Sequence, residues 1–340
     1  MVFNTLTIRR LAPASTVDTR IAVVIPMRNE VHNVNRAITQ LLEQKYLSHL
    51  TVIAVDDNST DGTTSALASY SDSGLDVVTL KSLSEGWLGK SFALQQGYLR
   101  AIDCGAEIVV TVDADVILAN DAIARSVLSL GSADALSPYP AQDAETLSER
   151  LIQPLLQWSW MASLPQRISH RLQLPSMAVA NGQLMVYRSS VLQSMDGFTS
   201  VKNEVLDDVR FVQHIRRRGF RTEVIIGRDI ASTRMYSSLR EITHGYGKSL
   251  FPTFGYLGSI LLALFLTSTS VLPFLGLFSN DIWALIGFGS ILTTRMISAV
   301  TSGNRVSDAI LHPISITLFI YVLFYSMVRR GRVQWKGRSL

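Results

Sequence analysis

Acidic side chains gather at three places in this sequence where they could do chemistry. Asp113-Ala114-Asp115 comes directly after the apolar run EIVVTV. Two carboxylates at i and i+2 on a strand end can share one hard cation, and Mg2+ or Mn2+ prefers oxygen ligands while keeping substrate phosphates in its shell. The plain alternative is a pair of turn formers. Asp56-Asp57-Asn58-Ser59-Thr60-Asp61-Gly62-Thr63 reads equally as solvated turn chemistry with a helix cap or as carboxylates accepting hydrogen bonds from a nucleobase or ribose. Glu204-Val205-Leu206-Asp207-Asp208 opens a helical stretch, residues 209–218, that ends in Arg216, Arg217 and Arg218. Acid first and base last suit the helix dipole; the functional reading is a general base near a helix start. Asn181-Gly182-Gln183 precedes a strand-like run at 184–187, where Gly182 would permit close approach of a ligand. Arg234, Tyr236 and Lys248 stand just before a long apolar run and could hold phosphate oxygens or lie at a membrane surface.

These groups need elements to position them. IAVVIP (21–26), TVIAV (51–55), residues 76–80 and EIVVTV (107–112) are short apolar runs of buried-strand type. Helical spacing fills the intervals at 30–44, 65–70 and 91–102. Alternating strand and helix indicates a parallel sheet covered on both faces, with ligands beyond the carboxyl ends of the strands. The loops at those carboxyl ends are polar: Arg28, Asn29 and Glu30; the acidic loop at 56–61; Gly86, Trp87, Gly89 and Lys90; then Asp113 and Asp115. The third loop, SEGWLGKS, is near a Walker A pattern, GxxxxGK[ST], in which Asp113 could serve as the Walker B carboxylate. A membrane-associated P-loop nucleotidase is therefore the rival reading. Against it, Ser84 stands where the first glycine belongs, and the loops after the first two strands would have no role.

Apolar residues make up 47% of the 340 residues and charged residues 17%, against about 25% charged in an ordinary soluble chain. This excludes a disordered or fibrous protein and raises a membrane component. The single cysteine, Cys104, excludes an intrachain disulfide and a Cys-based zinc site. The pI near 9.2 comes from the tail after residue 328, which carries Arg329, Arg330, Arg332, Lys336 and Arg338; residues 1–250 carry a net charge of −1. A short basic tail suggests headgroup contact or a topology signal, and no basic face for nucleic acid is present. Three apolar runs, 256–278, 282–300 and 309–328, are each about the 20 residues a bilayer-spanning helix needs. The N-terminal residues lack a signal-type apolar core, which leaves residues 1–250 on the cytoplasmic side of a cell membrane. Three full crossings would then put the basic tail on the side that the positive-inside rule disfavours. An interfacial or re-entrant segment would resolve this, and LIQPLLQWSWMASL (151–164), too short to span, is a candidate.

Taken in order, IPMRNE, VDDNSTDGT, GWLGKS, DAD, NGQLMVYR, EVLDDV and TRMYSSLREITHGYGKSLF resemble the family 2 glycosyltransferases of the GT-A fold over about residues 21–250. GWLGK, RMY and the terminal VQWKGR look most like the membrane-bound branch associated with carotenoid and hopanoid glycosylation. The resemblance implies a nucleotide-sugar donor, a UDP-sugar first, an inverting displacement, and a mostly parallel GT-A sheet followed by transmembrane helices. It implies that Pro26, Arg28 and Glu30 contact the nucleotide, that Asp56 and Asp57 hold nucleobase and ribose, and that Lys90 is the basic residue of the third loop. It implies a DxD formed by Asp113 and Asp115, with Asp115 the direct Mn2+ or Mg2+ ligand, and Asp208 as catalytic base. Asp207 stands where the family has glutamate. The QxxRW motif of processive synthases is absent and Arg234 and Tyr236 occupy roughly its place, so one sugar per acceptor is expected.

The expectation is thus a cytoplasmic GT-A domain at 1–250, a membrane domain at 251–328 and a basic tail at 329–340. Its partners would be a nucleotide-sugar, the bilayer and a membrane lipid or isoprenoid acceptor.

Overall fold

The computed structural model describes residues 1–204 and 207–329, with short backbone stretches at 334–335 and 338–339. The tail residues Arg330, Arg332 and Lys336 lie outside the described residues, as do the side chains of Asp207 and Arg338. Two compact units form: Ile8–Ala141 with Gln166–Thr233, and Met1–Thr7 with Gln142–Pro165 and Arg234–Leu340.

In the first unit the apolar runs become β1 (Val17–Met27), β2 (Leu47–Asp56), β3 (Leu75–Thr79) and β4 (Ile108–Val112). Three further strands join them: β5 (Ala135–Tyr139), β6 (Leu184–Arg188) and β7 (Thr222–Ile226). The sheet order is β3-β2-β1-β4-β6-β5-β7. All neighbours are parallel except that β6 runs antiparallel to both β4 and β5. Because strand side chains alternate faces, each strand feeds two cores. Ile21, Val23 and Ile25 of β1 enter the core beneath α1 (Val31–Leu42). Ala22 and Val24 enter the core with α3 (Gly89–Asp103), which comes after the short α2 (Thr63–Ala68). The central stretches of β1 and β2, residues 21–25 and 52–55, are therefore apolar without interruption, as two-sided burial requires.

Helix α3 lies directly on the sheet at Gly97, where an added Cβ would fall 2.2 Å from Val24 Cγ1 and 3.1 Å from Val55 Cγ2. Gly97→Ala is expected to lower stability by about 1–3 kcal/mol through overpacking, read as a lower thermal midpoint. An unchanged midpoint would mean that the helix can slide away freely.

This unit also holds a mostly buried histidine. His170 Nε2 accepts a hydrogen bond from the Val224 amide at 3.1 Å, and its Nδ1 is 4.0 Å from Glu223. Burial lowers its pKa from 6.5 to about 4; Glu223 opposes this and Arg216 adds to it. Between those values the unfolded chain binds the proton and the folded chain does not. Stability is full above pH 6.5 and is expected to fall as the pH drops toward 4, by about 3 kcal/mol. A His170→Gln variant should lose less stability on acidification; equal losses would place the sensitivity elsewhere.

In the second unit, helix α4 (Leu147–Ser163) begins with a cap: Thr146 accepts from the Glu149 amide, and Glu149 reaches back to accept from the Glu145 amide, one residue before the cap. The 151–164 stretch buries Leu151, Ile152 and Leu155 in a core shared with Ile242, Leu266 and Ile316, and Trp158 Nε1 donates to Thr294 Oγ1 at 3.0 Å. Helix α7 (Leu239–Leu266) turns sharply at Gly255, whose φ of 61° and ψ of −171° are non-helical. It is followed by α8 (Ile282–Ser302) and α9 (His312–Arg329). Among the described residues three helical stretches are long and apolar enough to cross a membrane: Leu239–Ser279, Ile282–Ser302 and Val306–Arg329. Leu257, Leu261, Phe265, Trp283 and Val300 of these helices are exposed, an outward apolar surface that lipid would cover. Near the end of α9, Ser326 Oγ donates to the Gly247 carbonyl and accepts from the Phe251 amide, and Tyr325 stacks on His244.

Candidate functional site

At the carboxyl end of the first unit's sheet the loops after β1 and β2 are laced together. The Asp57 amide donates to the Met27 carbonyl at 2.8 Å, Asn29 N–H to Ser59 Oγ at 3.0 Å, and Glu30 N–H to Thr63 Oγ1 at 2.8 Å. Asn29 and Asn58 both take left-handed backbone, with φ of 51° and 52°. Arg28 donates from Nη1 to the carbonyls of Asp57 and Asn58, and its buried Nε has no hydrogen-bond partner among the described residues. Pro26 sits in β1 opposite Val55. Asp56 and Asp57 are both buried. Asp56 accepts from the Ser59 amide and the Thr64 hydroxyl, so this carboxylate folds its own loop. Asp61 accepts from the Val31 and Thr63 amides and the Thr63 hydroxyl. Burial opposes ionisation there, but these bonds outweigh it and hold the carboxyl below its usual range.

The loop SEGWLGKS turns at Gly86, with φ of 75°, and enters α3 at Gly89. Lys90, in the first turn, places Nζ 2.7 Å and 2.8 Å from the two carboxylate oxygens of Asp113. The Asp113 amide donates to the Gln183 carbonyl at 3.0 Å, which joins the end of β4 to the segment 181–183. That segment is folded by Asn181, whose Oδ1 accepts from the Gln183 amide. Gly182 donates its N–H to Asp208 Oδ2 at 2.8 Å, and Val209 N–H donates to Asp208 Oδ1 at 2.7 Å. A Cβ on Gly182 would fall 3.1 Å from the Asp208 Cβ, so the glycine permits this close approach. Asp208 stands in the first turn of α6 (Asp207–Arg217), which comes after α5 (Gln166–Leu172). Lys90, Thr111, Gly182 and Asp208 line one small cleft floored by Leu94, Met185, Tyr187 and Phe211.

The electrostatics of this cleft are those of crowded carboxylates. Burial raises the Asp115 pKa to about 6; Asp113 and Glu30 add to the effect and Lys90 opposes it. Burial likewise pushes Asp208 up, against the Val209 and Gly182 amides and Lys90. Asp113 and Asp115 supply hard oxygen donors whose combined charge Lys90 offsets only in part, leaving negative charge that a divalent cation would compensate. Among the described residues no group of three His, Cys, Asp or Glu side chains makes a metal cage. Two carboxylates fit an ion that completes its shell with phosphate oxygens and water.

Arg234, Tyr236 and Lys248 belong to the other unit. Arg234 forms a bidentate pair with Glu149, Nε to Oε2 and Nη2 to Oε1 both at 3.0 Å, and reaches Glu145 at 2.6 Å. Burial opposes ionisation of Glu149, yet the bonds from Arg234 and Thr146 hold its pKa down to about 2. Tyr236 covers Gly245, where a Cβ would fall 2.1 Å from its hydroxyl. Lys248 lies in α7. Sequence spacing held no sign of Glu149 as the partner of Arg234; only the T-x-x-E capping pattern marked it.

Comparison with known proteins agrees with this arrangement. A family model described as Glycosyl transferase family 2 matches residues 22–195, just over half of the chain. The fold resembles that of the mannosyltransferase PcManGT from Pyrobaculum calidifontis, solved in complex with GDP-Man and Mn2+. Its TM-score is 0.58 at 20% identity, over 98% of this chain and 93% of that one. The chain also aligns with S. aureus TarS 1-349 (TM-score 0.43, 14% identity, 93% of each chain) and with its complex with UDP-GlcNAc (0.43, 15%, 92% and 91%). No curated protein matches significantly. With an α/β sheet of GT-A type, acidic loops along one edge and a matching family model over that sheet, the chain is a glycosyltransferase and belongs to glycosyl transferase family 2.

Proposed function

We propose that this enzyme moves a single sugar, with inversion, from a nucleotide-sugar, UDP-sugar first among the candidates, to a hydroxyl of a membrane lipid or isoprenoid. The observation that carries this reading is Asp208, fixed by two backbone N–H groups in the cleft that also holds Lys90 and lies beside Asp113. Asp208 takes the proton from the acceptor oxygen as that oxygen attacks the anomeric carbon and the nucleoside diphosphate departs. One base and one displacement give inversion. Lys90 places a cation beside the departing diphosphate. The first two loops, through Arg28, Glu30, Asp56 and Asp57, shape the nucleoside pocket, with Gly182 and Gln183 bordering the sugar. Asp113 and Asp115 would hold Mn2+ or Mg2+, which when bound supplies positive charge against the leaving diphosphate. The GDP-Man and Mn2+ captured with PcManGT support a nucleotide-sugar donor and a divalent ion.

The three long apolar helices support a cell-membrane enzyme with its GT-A domain, within residues 1–250, on the cytoplasmic side, and an acceptor arriving from the bilayer. Tyr236 and Lys248 then serve headgroup phosphates near that surface, while Arg234 is held by Glu149 and Glu145. No observation favours the P-loop nucleotidase. The test is incubation of the full chain in detergent with a panel of nucleoside diphosphate sugars, Mn2+ and a lipid extract. Metal-dependent release of nucleoside diphosphate with a hexose-sized mass gain in a lipid is expected. ATP hydrolysis without any sugar transfer would overturn the reading.

A further inference from the structure

The membrane-helix unit contains a polar cavity of about 240 Å³ that glycosyl transfer does not explain. Its lining brings together Arg150, Arg295, Arg305, Asp308, Asp143 and Glu145. Arg150 and Asp308 satisfy each other in a two-point ion pair, with Arg150 Nε donating to Asp308 Oδ2 at 2.8 Å. Arg295 differs. It stands on α8 within an otherwise apolar run and is only 4% exposed. Among the described residues it makes no ion pair or hydrogen bond, and its Nε is orphaned. Its guanidinium carbon sits 5.8 Å from the centre of the Trp158 ring. The acid whose charge reaches it is Asp308, already held by Arg150, and a desolvated guanidinium that shares one carboxylate with a second arginine is left short of negative charge.

The charges left after the Arg150–Asp308 pair are segregated by element. Arg295 and Arg305 come from α8 and the segment after it, whereas Asp143 and Glu145 come from the segment before α4. Glu145 already shares Arg234 with Glu149. A lining that carries both cations and acids matches a ligand that carries both signs. Arg295 lies seven residues before the end of α8, about 10 Å at 1.5 Å per residue, from which a long side chain can reach toward the headgroup layer.

We propose that this cavity binds the zwitterionic headgroup of a phospholipid, its phosphodiester on Arg295 and Arg305 and its primary ammonium toward Asp143 and Glu145. The proposal rests on the membrane reading of the helices and not on the identity of the sugar acceptor. The test is native mass spectrometry of the full chain in detergent, titrated with phosphatidylethanolamine, phosphatidylglycerol, diacylglycerol or inorganic phosphate. Phosphatidylethanolamine should bind best. Arg295→Met should weaken it about tenfold or more, the scale of one charged hydrogen-bonded contact, and Arg305→Ala should weaken it in a fully folded background because Arg305 is exposed. Asp143→Asn should bring phosphatidylethanolamine down toward phosphatidylglycerol. Thermal stability of ligand-free Arg295→Met should match or exceed the parent, since an unpaired buried charge is removed. Equal binding of diacylglycerol would overturn headgroup recognition. Equal binding of phosphatidylglycerol, or binding of inorganic phosphate alone, would overturn the zwitterionic assignment.

Discussion

Asp208→Asn should reduce sugar transfer by about 10²–10⁴-fold, the usual contribution of a positioned general base, while donor affinity stays within a few-fold. The substitution keeps size and removes basicity. Both carboxylate oxygens of Asp208 accept backbone N–H bonds, from Gly182 and Val209. An amide can satisfy one of these donors with its oxygen but presents N–H groups to the other, so a small stability loss should accompany the catalytic one. The two are separable, because donor binding measured by calorimetry reports the fold of the cleft and product formation reports the base. Parent activity should also fall on acidification as Asp208, raised by burial, takes up a proton. A variant that turns over at the parental rate would remove Asp208 from the mechanism and leave Asp207 as the next candidate.

Asp115→Asn carries the second large effect. It should lower metal-dependent nucleoside diphosphate release by about 10²-fold or more, the scale seen when one preorganised electrostatic contact to a developing charge is lost. Asp115 is partly buried, with Asp113 close enough to raise its pKa, so the carboxylate is costly to the apo fold. The same variant should therefore melt no lower than the parent. Chelation should abolish release in the parent and do little further in the variant. Undiminished metal-dependent release in Asp115→Asn would place the ion elsewhere. Lys90→Met is a useful companion: it leaves Asp113 without the ammonium 2.7 Å away and should reduce turnover while tightening apparent metal binding.

The parallel half of the sheet was legible because two-sided burial writes unbroken apolar runs, and β1 to β4 lie where such runs occur. The observed strands are longer at some ends; β1 starts at Val17 where the apolar run starts at Ile21, because Asp18 and Arg20 can face solvent while their backbone still pairs. Strands β5 and β7 were not legible. ALSPY contains Pro138, which ordinarily argues against a strand between two others, and TEVII is too short to separate from a turn and helix. The polar edge was readable from the residue types at the carboxyl end of each strand. The division of labour within it was not: Asp56 is engaged by Ser59 and Thr64 of its own loop, and the Lys90–Asp113 pair links residues 23 apart. Arg234 finds Glu149 across 85 residues, and no local spacing announces such a partner. Arg295 was visible as a lone charge in an apolar run, but its burial without a direct ion pair among the described residues needed coordinates.

The Ser326 hydroxyl fastens the last apolar helix to Gly247 and Phe251, in the amino-terminal half of the first. In a bilayer, that stitch would hold the end of the last helix and the early turns of the first at one depth.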